Sequence, residues 1–94
     1  MRARVLTLTS RLDATAALPL LDALLSRRGT PLDLRVDHVE RVATLPLQVL
    51  LSAAATWRAD GHRLRLSGHS DVLDEAVRTL GLTLDDLTAE GGAG

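Results

Sequence analysis

Histidine, aspartate, serine and threonine are the side chains of this sequence that could do chemistry, and their spacing decides which kinds are open. His38, His62 and His69 stand within two residues of Asp37, Asp60 and Asp71 respectively. Imidazole beside carboxylate is the material of a metal centre or of general acid and base catalysis. A helical metal pair needs two ligands at i and i+4, on one face, and none of the three histidines has such a partner. They fall instead in turn-like sequence, where polar residues are simply solvated. His69, Ser70 and Asp71 are consecutive, whereas a nucleophilic triad is assembled from distant parts of a chain. Ser70 with Asp71 and Asp74 after it has the pattern of a helix cap followed by acids in the first turn. No glycine-rich phosphate loop is present, and the absence of cysteine excludes disulfides and thiolate metal sites. These residues carry no catalytic machinery, no metal site and no cofactor site.

Thr44 stands apart because of its setting. Residues 42–59 read VATLPLQVLLSAAATWRA. Proline suits the first turn of a helix, where its missing N–H is not needed, and a hydroxyl residue just before it can bond the free amides. The sequence therefore predicts a helix that starts at Thr44, with Thr44 as its cap and Pro46 in its first turn. Strong helix formers continue until Asp60 and Gly61, a helix-to-strand turn.

Ninety-four residues make one domain with one core. With 46% hydrophobic and 24% charged residues the chain is globular in character. Trp57 is its single aromatic residue, so the core must be built from leucine, valine and alanine. The net charge is −1 and all 11 basic residues are dispersed arginines, which gives nucleic-acid binding no support. The opening MRARVLTLTS lacks the long apolar core of a signal peptide, and no apolar run approaches the ~20 residues of a membrane span. The expected compartment is the cytosol, with no direct membrane insertion.

The elements around the central helix can be read from periodicity. Residues 5–9 alternate, with Leu6 and Leu8 on one side and Val5, Thr7 and Thr9 on the other, which predicts a strand with one buried face. A helix comes next, with Asp13 or Thr15 as cap, Pro19 in its first turn, Ala17, Leu21, Leu24 and Leu25 inside, Arg27 and Arg28 in its last turn, and Gly29 as its stop. Leu32, Leu34 and Val36 alternate with Asp33, Arg35 and Asp37 as a second strand. After the central helix, Leu64 and Leu66 alternate with Arg63, Arg65 and Ser67 as a third. A last helix starts at Ser70, carries Leu73, Ala76, Val77 and Leu80 inside, and stops at Gly81. Alternation of strand and helix argues for parallel pairing, and one polar face on every strand argues for helices on one side only. The expected fold is a two-layer α/β domain of about three to four mostly parallel strands and three helices over residues 1–82. Residues 83–94 are expected to form a partly mobile tail.

The central helix has more apolar surface than a sheet can bury. Leu47, Leu50, Leu51 and Ala54 form the stripe facing the sheet. A second stripe, Leu45, Val49, Ser52, Ala53 and Thr56 with Gln48 beside it, carries no charge where a solvent face is normally charged. It is either covered by neighbouring helices or a docking surface for a partner or a second copy.

The order and spacing of these segments resemble the STAS domain family, the fold of bacterial anti-sigma-factor antagonists. The segments LTLTSRLD, LDLRVDHVERV, LPLQVLLSAAATWRADGHRLRLS and SDVLDEAVRTLGL match its strand and acid entry, its central strand and loop, its second helix and next strand, and its third helix. In antagonists of that family the loop before the second helix carries an acid, a phosphorylatable serine or threonine, a small residue and a glycine. Ala43, Thr44, Leu45 and Pro46 stand at those positions, so Thr44 matches the phosphoacceptor while the acid and the glycine are replaced. Asp13 matches the acid that the family places near this loop. The resemblance implies a non-enzymatic, cytosolic regulatory protein that docks a kinase-fold signalling partner, as anti-sigma-factor antagonists and chemotaxis STAS proteins do. Its contact residues would be Asp13, Val42, Ala43, Leu45, Pro46, Gln48, Val49, Ser52, Ala53 and Thr56. The alternative implied by other small STAS proteins is an accessory subunit on the ATPase of an ABC-type lipid transporter. The same stripe could serve a homodimer.

Overall fold

The computed structural model describes residues 4–91. The alternating segments become three parallel strands, β1 (Arg4–Thr7), β3 (Leu32–Arg35) and β5 (Leu64–Ser67), in the spatial order β1-β3-β5. Register sets Leu6, Leu34 and Leu66 side by side, and Arg4, Leu32 and Leu64 in the row before them. Leu8, Leu32, Leu34, Val36 and Leu64 are buried beneath the helices, while Val5, Thr7, Arg35 and Arg65 lie in solvent on the opposite face. One covered and one bare face is what alternation demands of a two-layer domain.

Helix α1 (Ala17–Leu25) follows a 3-10 turn (Ala14–Ala16) and holds Pro19 in its first turn. It buries Ala17, Leu20 and Leu24. Leu21 and Leu25, expected inside, are exposed, because the i, i+3, i+7 row fills the space over the sheet and leaves the adjacent row to solvent. The helix also ends earlier than expected. Arg27 lies beyond it and donates from Nη1 at 2.8 Å to the carbonyl of Ala23, which also accepts the Ser26 hydroxyl, and Arg28 pairs with Asp60 at 2.9 Å.

Helix α2 (Thr44–Asp60) lies between α1 and the C-terminal 3-10 turn (Leu84–Leu87) and buries Pro46, Leu47, Leu50, Ala53, Ala54 and Trp57. Leu51 is only half-buried. Trp57, 1% exposed, donates its indole N–H to the carbonyl of Thr30 at 2.8 Å. The helix ends in a Schellman motif: Gly61, at φ 74°, and His62 donate to the carbonyls of Arg58 and Trp57. In α3 (Asp71–Thr79) Leu73 and Val77 are buried and Leu80, expected inside, is exposed at the C-cap.

Two features depart from the sequence expectation. Short strands β2 (Arg11–Leu12) and β4 (Arg41–Val42) pair in parallel as a separate ladder. The segment after α3 packs back onto the domain: Leu87 and Ala89 are buried, and Ala89 bridges antiparallel to Leu64. Leu87 supplies a bulky apolar side chain to the flank of α2, and that burial is what fixes the segment. Residues 92–94, the last part of the expected tail, lie outside the described residues. No described helix is long and apolar enough to cross a membrane.

Candidate functional site

Parallel strands deliver their following loops to one end of the sheet, so the segment after β1 and the segment after β3 meet where α2 begins. The ladder between β2 and β4 joins them. The carbonyl of Ser10 accepts from the amides of Glu40 and Arg41 at 2.8 and 3.0 Å, and the carbonyl of Leu12 accepts from the amide of Ala43 at 2.7 Å. Ser70 holds the same loop from the other side. Its Oγ accepts from the amide of Leu73, capping α3, and donates to the carbonyl of Val39 at 2.8 Å. Asp13, directly after Leu12, and Thr44, directly after Ala43, are thereby brought to one rim.

Thr44 is not the helix cap that its sequence setting predicts. The first bond of α2 runs from the amide of Leu47 to the carbonyl of Ala43, so Ala43 occupies the cap position and Thr44 the first helical one. Alanine has no side-chain acceptor, and Pro46 at the third helical position has no N–H to satisfy. Thr44 is exposed, and among the described residues its hydroxyl has no hydrogen-bond partner. Among the described residues the amides of Thr44 and Leu45 have no main-chain acceptor, and they are the free donors at this helix end.

Asp13 is half-buried and accepts the Thr15 hydroxyl at 2.6 Å. That hydrogen bond, more than any other influence, holds its carboxyl below the usual carboxylate range. Asp13 therefore presents a charged carboxylate at the rim. It does not cap α1, whose N-cap is Ala16.

The remaining expected contact residues divide by burial. Leu45, Gln48 and Ser52 are exposed on the outer side of α2, and Val42, Ala43, Val49 and Thr56 are half-buried beside them. Pro46 and Ala53, expected at the surface, are buried in the core. The inner arc of α2 is wider than one stripe, because α1 and the C-terminal 3-10 turn flank the helix on both sides and Ala53 falls within that arc. The surface that is left is narrower than expected and still uncharged: Thr44, Leu45, Gln48, Ser52 and Ala55 are its exposed residues before Arg58.

The histidines are not gathered. His38 and His69 are exposed, His62 is half-buried near the end of α2, and His69 accompanies Asp71 at 2.6 Å in open solvent. Among the described residues no group of three or more histidine, cysteine or acidic side chains is placed to hold a metal ion. An apolar hollow between β1 and α1 reaches Thr9 and Leu12 but takes in neither Asp13, Thr44 nor a histidine.

Sequence reasoning missed Ser10, Glu40 and Arg41 as the residues that tie the rim together. Their contribution is main-chain hydrogen bonding, which leaves no mark in side-chain type. It also missed the bond from Ser70 to Val39, although Ser70 was legible as a cap.

Two comparisons bear on this site. A family model described as "Mlab, STAS domain" matches residues 2–88. No curated protein matches the sequence.

Proposed function

We propose, from the premise that this chain belongs to the STAS domain family, that it is a non-catalytic regulatory module binding a protein partner. Contact is made across the N-terminal half of α2 and the 37–43 loop. One observation carries the reading: the outer side of α2 exposes Thr44, Leu45, Gln48, Ser52 and Ala55 and no charged group before Arg58. Leu45 is 51% exposed, and leaving that much of a leucine in water forgoes about 1 kcal/mol that a partner would recover. Asp13 lies at the rim as a fixed negative charge, and Thr44 is where a further one would enter. A phosphate there would meet the free amides of Thr44 and Leu45, so the fold would tolerate it, while about two negative charges would oppose an apolar or acidic partner.

Two partner classes suit this surface. The first is a kinase-fold signalling protein, as engaged by anti-sigma-factor antagonists and chemotaxis STAS proteins. The second is the ATPase of an ABC-type lipid transporter, with this chain as accessory subunit. One observation favours the second: Ala43 and the buried Pro46 stand where the antagonist loop has its acid and its glycine, which suits constitutive docking better than a phosphorylation cycle.

Affinity capture with the wild-type chain and with Leu45→Glu tests the reading. Recovery of an ABC ATPase supports the second class and recovery of a histidine-kinase-fold protein the first. Equal capture by both chains at matched folding would place the docking surface elsewhere and overturn the assignment.

A further inference from the structure

The two edges of the three-stranded sheet are finished differently. At β5 the chain returns after α3 and lays Ala89 against Leu64, with main-chain hydrogen bonds of 2.8 and 3.0 Å in the two directions. β1 pairs with β3 on one side and, among the described residues, with no strand on the other. The amides of Arg4 and Leu8 donate to the carbonyls of Pro31 and Arg35 at 3.2 and 2.9 Å. By strand alternation, the N–H and C=O groups of Val5 and Thr7 therefore point out of the open edge. On the helix side of that edge lies an apolar hollow of about 150 Å³, lined chiefly by Leu6, Leu8, Leu12, Pro19, Leu20 and Ala23. An unpaired edge beside an aliphatic hollow is an arrangement that accepts another strand.

The register selects the occupant. We propose that β1 pairs antiparallel with β1 of a second copy, about a two-fold axis through Leu6, to give a symmetric dimer with one continuous six-stranded sheet. In that register Val5 stands opposite Thr7 of the second copy, the outward N–H and C=O groups of each facing those of the other, and four main-chain hydrogen bonds close the joint. Leu6 meets its own symmetry mate at the axis, between the two hollows. Arg4 stands opposite Leu8 of the second copy, so no charge faces a like charge. The contact is isologous, since the same residues serve both sides. Val5, Leu6 and Thr7 include no proline, lysine or other charge, the devices by which natural sheets keep an open edge from pairing. This interface is separate from the docking face on α2 and does not depend on it.

Sedimentation equilibrium across loading concentrations from about 5 to 500 µM tests the proposal. The wild-type mass is expected to double across that range. Val5 is 54% exposed and Thr7 is also exposed, both on the bare face of the sheet, so charges there leave the core untouched. Val5→Glu with Thr7→Glu sets glutamate against glutamate at both paired positions and is expected to keep the protein monomeric, with an unchanged circular dichroism spectrum. Val5→Glu with Thr7→Lys sets each glutamate against a lysine of the second copy and is expected to restore the dimer. The chain has no cysteine, so Leu6→Cys introduces a single thiol at the axis. It is expected to form a covalent dimer on oxidation, because a non-hydrogen-bonded antiparallel pair brings Cα atoms to about 4.5 Å. A monomeric wild type at every concentration overturns the proposal. So does a dimer indifferent to the double glutamate, a Glu and Lys variant that stays monomeric, or a Leu6→Cys chain that does not cross-link.

Discussion

Ser70→Ala is the substitution whose effect the structure defines most closely. Ser70 is the buried polar residue among those described, and its hydroxyl carries two hydrogen bonds in opposite senses. As an acceptor it caps α3 at the amide of Leu73, and losing an N-cap of this kind costs about 1 kcal/mol. As a donor it satisfies the carbonyl of Val39, a residue that is itself buried, and an orphaned buried carbonyl costs about 1 to 3 kcal/mol. The two together predict a loss of about 2 to 4 kcal/mol, a large share of the ~5 to 14 kcal/mol expected of a chain this size. In a thermal melt that is a fall of about 10 to 25 °C. Urea unfolding followed by Trp57 fluorescence measures it directly, because the protein has one tryptophan and it is buried. The denaturant slope should stay unchanged, since neither end state alters its exposed surface. Ser70→Asp separates the two bonds: it keeps an acceptor for Leu73 and sets a carboxylate that cannot donate against the carbonyl of Val39. That variant should be at least as unstable as the alanine. A loss under about 0.5 kcal/mol for Ser70→Ala, or wild-type stability for Ser70→Asp, would refute the reasoning. The functional consequence comes from the same bonds, because Val39 belongs to the loop that carries the docking rim. Amide exchange at Glu40 and Arg41 should quicken in Ser70→Ala before the rest of the domain opens.

Four further outcomes are expected. Thr44→Ala should change stability by less than about 0.5 kcal/mol in urea unfolding, because the Thr44 hydroxyl caps nothing, whereas Thr44→Asp should weaken partner capture at unchanged stability. Ala53→Arg should unfold the domain, since Ala53 is 6% exposed, while Ser52→Arg one position away should fold normally and lose the partner, as circular dichroism and capture on the same samples will tell. Asp60 is held below its ordinary pKa of 3.8 chiefly by the hydrogen bond from Arg28, so its contribution is complete above that value and fades as pH falls through the folded-state pKa. Asp60→Asn should therefore lower the urea midpoint at pH 7, and the gap to wild type should close in strong acid. Gly68→Ala should destabilise by more than Gly29→Ala in the same assay. Both sit at positive φ, +80° and +88°, but a Cβ on Gly68 would meet the Cβ of Asp37 at 2.8 Å while one on Gly29 meets nothing within 4 Å.

The three main strands and three helices were legible because each writes its period into side-chain type. Leu32, Leu34 and Val36 against Asp33, Arg35 and Asp37 can only be a strand with one wet face, and Ser70 followed by two acids marks a helix start. What failed had a common cause. Leu21, Leu25 and Leu80 carry the right residue type for burial but sit one row off the arc that the sheet and neighbouring helices cover. Thr44 carries the right type for a cap, but the chain enters α2 through Ala43, whose amide is already committed to Leu12. Two-residue strands such as Arg11–Leu12 are too short to show a period at all.

The candidate site divides in the same way. Its composition, an uncharged run from Val42 to Trp57 with Thr44 near its start, is a property of the sequence and survives any packing. Which of those residues reach solvent is a property of the assembled layers. Pro46 and Ala53 are buried, and α1 and the Leu84–Leu87 turn flank α2 on both sides; no local pattern records how wide an arc distant segments will cover. The rim that carries Asp13 and Thr44 is assembled by main-chain bonds from the amides of Glu40, Arg41 and Ala43 to the carbonyls of Ser10 and Leu12, some thirty residues back, and by the bond from Ser70 to Val39. Amino-acid type determined the elements and the charge-free face, because periodicity and charge are written residue by residue. Tertiary structure decided the site's membership, because burial is set by what lies opposite, and that is a matter of distances between parts of the chain that share no sequence signal.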